Sequence, residues 1–109
     1  MPWPTTTDVV SRLGVPLAGP GDVADVDSAL AAAIAYTEDN STVWRAEQTG
    51  GATEPGPRVF RGVVDLTVML YERRGATVDP FDELTPAQRA HAHRLLGIGH
   101  HALPFVGGA

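Results

Sequence analysis

Four histidines, His91, His93, His100 and His101, are the first place to look for chemistry, because imidazole is both the commonest metal ligand and the side chain that titrates nearest neutral pH. His91 and His93 stand two residues apart in a segment that reads as helix. They therefore point to nearly opposite sides and do not share an ion. His100 and His101 are adjacent and follow two helix breakers, Gly97 and Gly99. Neither pair has the i, i+4 spacing of a helical zinc site, and no HExxH occurs. Ser11, Ser28 and Ser41 lie outside any GxSxG turn. No phosphate-cradling glycine loop is present, and the carboxylate pairs Asp25/Asp27 and Asp82/Glu83 read as helix-start and loop charges. The expectation is a protein without enzymatic activity, cofactor or metal.

Composition narrows the field further. The 109 residues suffice for one domain that buries its own core without staples, and the absence of cysteine removes thiol catalysis, disulfides and Cys-ligated metals. No apolar run approaches the length of a membrane span, and MPWPTTTD lacks the basic and apolar parts of a signal peptide, so an intracellular, non-membrane product is expected. All eight basic residues are Arg, which a GC-rich genome explains. The net charge of −5 is uneven: residues 1–57 hold eight acids against Arg12 and Arg45, a balance of −6, and residues 58–109 hold five acids against six Arg, a balance of +1. From Leu84 onward there is no acid at all. An acidic chain grips duplex DNA poorly, because affinity there comes from neutralising phosphates. The segment 87–96, read as a recognition helix, offers only Arg89 and Arg94 as charges and no Lys, Asn or second Gln beyond Gln88 to read base edges.

The elements that would position these groups read as all-α, a small antiparallel bundle of about four helices. Its centre is Pro57 to Arg74, where Val59 or Phe60, Val63, Thr67, and Leu70 with Tyr71 recur at helical spacing, and Arg58, Arg61, Asp65, Glu72 and Arg73 fall between them. Pro57 suits the first helical position and Gly75 the stop. Before it come an extended arm over residues 1–6 with Trp3 as its anchor and a short helix from Asp8 to Leu13, capped by Thr6 or Thr7 and ended by Gly14. A long Ala-rich helix then runs from Val23 or Val26 to Asp39, burying Val23, Val26, Leu30, Ala33 with Ile34, and Thr37. In the stretch 40–56, Thr42, Val43 and Trp44 continue the helix briefly or start a strand, and the rest reads as a long loop, with a short hairpin in 42–56 as an alternative. Phe81 anchors the next connection. Thr85, Pro86 and Gln88 form a capping box that opens a helix to Leu96. Core residues are thus Leu30, Ile34, Phe60, Val63, Thr67, Leu70, Tyr71 and Phe81.

The order of these pieces resembles the phage head-tail connector, or adaptor, proteins. The resemblance rests on TDVVSRLG at 7–14, the Ala-rich second helix, FRGVVDLTVMLYERRGA at 60–76, FDEL at 81–84 and RLLGIGHHALPFV at 94–106, and so spans nearly the whole chain. His100-His101 stand where relatives often carry Arg and Tyr, and residues 45–58 match no pattern of the family. The resemblance implies a structural virion protein made in the host cytoplasm. Copies of it would form a ring of about twelve on the portal protein ring, extend the channel through which genomic DNA passes without sequence-specific binding, and present a surface to the next tail-side connector or stopper protein. Membranes play no part.

On this reading residues 1–96 form the helical connector domain and 97–109 a docking tail. Its apolar residues lie past two glycines, in a terminal segment that would otherwise fray, so they either fold back onto the chain's own core or dock on a partner. Portal-docking residues are expected to be Arg94, Leu96, Ile98, His100, His101, Leu103, Pro104, Phe105 and Val106. The loop residues Trp44, Arg45, Gly50, Gly51 and Pro55 are expected to order on contact with a neighbouring subunit or the next ring. A small helical protein-interaction or DNA-associated regulatory module is the alternative.

Overall fold

Helix α4, Pro57–Glu72, is the axis of the fold because its neighbours enclose it on several sides. A computed structural model describes residues 2–14, 19–72 and 84–97. Four further helices are present: α1 over Thr6–Leu13, α2 over Pro20–Asn40, α3 over Thr42–Thr49 and α5 over Pro86–Leu96. The all-α expectation holds, and no strand occurs among the described residues. Among the described residues the helices number five, against an expected four or so. Helices α1, α2 and α5 all pack on α4, and α3 sits against α2 and α5.

The extra helix is α3, and it replaces the expected loop or hairpin. Ser41 caps it by accepting a hydrogen bond from Trp44 N at 3.0 Å, which satisfies one of the open N–H groups of the first turn. The residues that follow are not a free loop either. The N–H groups of Gly50, Gly51 and Ala52 bond back to carbonyls of α3, Gly56 N donates to Glu47 Oε1 at 2.9 Å, and Pro55 is buried.

Helix starts are set locally. Thr5 caps α1, its N–H bonding Asp8 Oδ2 at 2.8 Å, so the helix begins before the expected Asp8. Pro20 opens α2 from the first turn, several residues earlier than periodicity suggests. The Thr85 and Gln88 box of α5 forms as expected, with both reciprocal bonds at 2.9 and 3.1 Å. Gly97 ends α5 at φ +73°, a conformation that L side chains rarely adopt.

The core gathers Val9 of α1, Val26 and Leu30 of α2, Trp44 of α3, Val63 and Leu66 of α4 and Leu96 of α5. Each fully buried Val or Leu contributes roughly 1.5–3 kcal/mol of transfer free energy. Val63, Thr67, Leu70 and Leu30 are buried as expected, whereas Ile34, Phe60 and Tyr71 are only half-buried. Val23 is 40% exposed, at the edge of the α2 stripe and in its first turn. Trp3 does anchor the arm: its ring meets Trp44 edge-on, with centroids 5.1 Å apart. Where α4 and α5 cross, Gly62 lets the backbones approach, since a Cβ there would lie 2.6 Å from Leu96 Cγ.

Candidate functional site

Asp65 is the one acidic side chain buried among the described residues, and it organises the polar interior. Its place in α4 follows from the packing. Residues 62–67 are all buried, so a position that helical spacing assigns to the polar face instead looks into the gap between α1 and α5. Arg12 reaches across from α1 with Nε 2.8 Å from Asp65 Oδ1, and His91 reaches from α5 with Nε2 2.8 Å from Oδ2. Arg61, one turn back on α4, lies 3.8 Å from the same carboxylate.

An ionised carboxylate only accepts hydrogen bonds, so His91 Nε2 carries its proton toward Asp65. Burial pushes the Asp65 carboxyl up, but the hydrogen bonds and charges of Arg12 and His91 together outweigh it and hold the group below the usual carboxylate range. The same carboxylate raises Arg12, through its hydrogen bond first and its charge second. Both oxygens are therefore committed. The cluster ties three helices together with an ionised acid at its centre, and it is not poised as a proton donor.

Two surface hollows flank this tie. The larger, about 510 Å³, lies between α1 and α4 and is lined by Ser11, Arg12, Phe60, Arg61 and Val64. The smaller, about 260 Å³, opens beside His91, Val68 and Met69. Ser11 and His91 thus stand on opposite sides of the Arg12–Asp65 bridge, so they do not make a nucleophile and base pair. No group of three His, Asp or Glu that could hold a metal occurs among the described residues. No helix there is long and apolar enough to cross a membrane.

The expected docking and contact residues separate into three groups. Arg94 and Arg45 are exposed, and their surroundings are shared backbone contacts: Arg58 Nη2 donates to the Arg94 carbonyl, and Arg45 Nη2 to the Asp39 carbonyl at 3.3 Å. Gly50 and Gly51 are exposed in the turn after α3. Contrary to expectation, Leu96, Trp44 and Pro55 are buried in the chain's own interior and present no exposed surface. Ile98, His100, His101, Leu103, Pro104, Phe105, Val106 and the core candidate Phe81 lie outside the described residues. Gly97 belongs to the helical body and not to the tail: it is buried, and a Cβ on it would collide with Thr42 Oγ1.

Sequence reasoning missed the Arg12–Asp65–His91 cluster, whose members are 53 and 26 residues apart. No local spacing announces such a contact. Compared with known proteins, the chain matches no protein-family model, no curated protein and no solved structure.

Proposed function

We propose that the chain is a structural virion protein, a head-tail connector subunit whose helices pack as an antiparallel bundle and whose copies form a ring on the portal. The observation that carries this reading is the order of helices about α4. TDVVSRLG forms α1 with its Gly14 stop, the Ala-rich segment forms α2, the FRGVVDLTVML run lies in α4, and RLLG closes α5. The internal commitment of Asp65 supports a scaffold in preference to a catalyst.

In the ring, the subunit extends the DNA channel and gives the tail-side protein its surface. Residues beyond Gly97 dock on the portal, with Leu103 and Phe105 filling apolar pockets and Arg94, His100 and His101 meeting carboxylates or carbonyls. The deciding experiment is co-sedimentation of the purified chain with the portal ring encoded beside it, bound copies being counted by mass. About one copy per portal subunit is expected. Deleting residues 98–109 should leave the helical signal and the melting transition nearly intact and abolish binding. A folded full-length chain that does not bind the portal refutes the reading.

A further inference from the structure

Three helix ends meet at Ser41. Its N–H bonds the Thr37 carbonyl at 3.0 Å and closes α2, its Oγ accepts the Trp44 N–H and opens α3, and the same hydroxyl donates to the Leu96 carbonyl in the last turn of α5. Ser41 is 1% exposed, so solvent cannot stand in for either side-chain bond. Gly97 lies against Thr42, the first residue of α3, with no room for a Cβ. The end of α5 and the start of α3 therefore form one joint.

Elsewhere the two helices bury few residues. Among the described residues α3 buries Trp44 and α5 buries Ala92 and Leu96, against eight buried positions in α4. Their further ties include polar bonds near the surface. His91 Nε2 bonds Asp65 and Arg58 Nη2 donates to the Arg94 carbonyl. Toward the far end of α3, Glu47 Oε1 accepts from Gly56 N, just before α4 begins. Helices α1, α2 and α4 pack on one another independently of these bonds. Elements with few buried contacts and bonds close to solvent open at lower free energy than the core.

We propose that α3 and α5 open from the body of α1, α2 and α4 as a single unit, and that this unit couples two surface segments: the turn over residues 50–56 and the last turn of α5. Opening breaks the Glu47 bond to Gly56 and the His91 bond to Asp65 together, because the Ser41 joint does not let one helix leave alone. A partner that steadies the turn thus steadies the end of α5. By reciprocity, a partner on α5 steadies the turn. The coupling is a property of the single chain and does not rest on the connector reading.

Native-state amide hydrogen exchange on the full chain, read by NMR over residues 42–56 and 86–96, provides the test. In the wild type the slow amides of α3 and α5 should share one opening level, lower than that of α2 and α4. Glu47→Ala should speed exchange in α5 as much as in α3, by about threefold or more, although the bond it removes goes to Gly56. His91→Asn, with about the helix propensity of His but a shorter reach, should speed α3 by the same factor as α5. Ser41→Ala cuts the joint, so in that background Glu47→Ala should leave α5 unchanged. Circular dichroism verifies that each variant is folded, and the Glu47 and His91 variants decide the matter should Ser41→Ala fail to fold. Glu47→Ala that speeds only residues 42–56, His91→Asn that speeds only α5, or unequal opening levels in the wild-type helices would overturn the coupling. A response of α5 to Glu47→Ala that is the same with Ser41 as with Ala at that position would overturn the joint.

Discussion

Replacing Arg12 by Met would remove the guanidinium from Asp65 and keep the aliphatic stem that shields it. The Asp65 side chain is 4% exposed and that of Arg12 57%, so the pair is buried on one side only. Removing one partner of a fully buried pair costs about 3–5 kcal/mol, and an exposed pair is worth at most about 1 kcal/mol. The half-buried geometry places Arg12→Met between these limits, at about 2 kcal/mol near neutral pH. The pH dependence is the sharper part. A carboxyl held below its ordinary range contributes stability that is fully present above the unfolded value, about pH 4, and lost as pH falls through the folded value. In the variant, burial is opposed by His91 and the more distant Arg61 without Arg12, so the carboxyl rises and its contribution shrinks. The stability difference between wild type and variant should therefore be largest near neutrality and diminish below about pH 4. Urea unfolding followed by tryptophan fluorescence across that range measures it. A difference that does not change with pH would refute the assignment of Asp65 as an ionised, Arg-held group. The double variant Asp65→Leu with Arg12→Met should regain most of the loss, because an apolar pair needs no partner for a buried charge.

Three further outcomes follow from the packing. Gly62→Ala should lower stability by about 1–3 kcal/mol, because the new methyl meets Leu96 Cγ at 2.6 Å and overpacking outweighs the roughly 1 kcal/mol that Ala gains in helix propensity; a higher melting temperature would contradict the crossing. Ser41→Ala should cost about 1–3 kcal/mol, since it removes the cap on Trp44 N and leaves the buried Leu96 carbonyl without its 2.5 Å donor; calorimetry showing no change would count against that junction. Glu47→Ala should release the turn at Gly56 and speed limited proteolysis between residues 50 and 56 with little change in global melting. Equal cleavage rates would mean that the Glu47 bond does not hold the turn.

How much could be read from the sequence follows from the range of each determinant. The α5 start was legible because Thr85, Pro86 and Gln88 act within one turn. The same local grammar was present but overlooked in two places: Thr5 with Asp8 at its N3 position, and Ser41 before Trp44, with Gly50 as the stop. Thr42, Val43 and Trp44 left a brief helix and a strand both open, and burial of Trp44, on a helix packed against α2 and α5, goes with the helix. Periodicity failed where a helix has more than one buried side. Asp65 was assigned to the polar face of α4, yet α1 and α5 close over that face. Val23 fits the apolar spacing of α2 but lies at the edge of the stripe, in the first turn. The Asp65 cluster itself joins three helices distant along the chain, so only the packed structure assembles it.

The junction at the end of α5 has a mechanical meaning. Ser41 holds the Leu96 carbonyl, and Gly97 rests on Thr42 at the first turn of α3, so the last turn of α5 is riveted to the start of α3 and the two helices must open together.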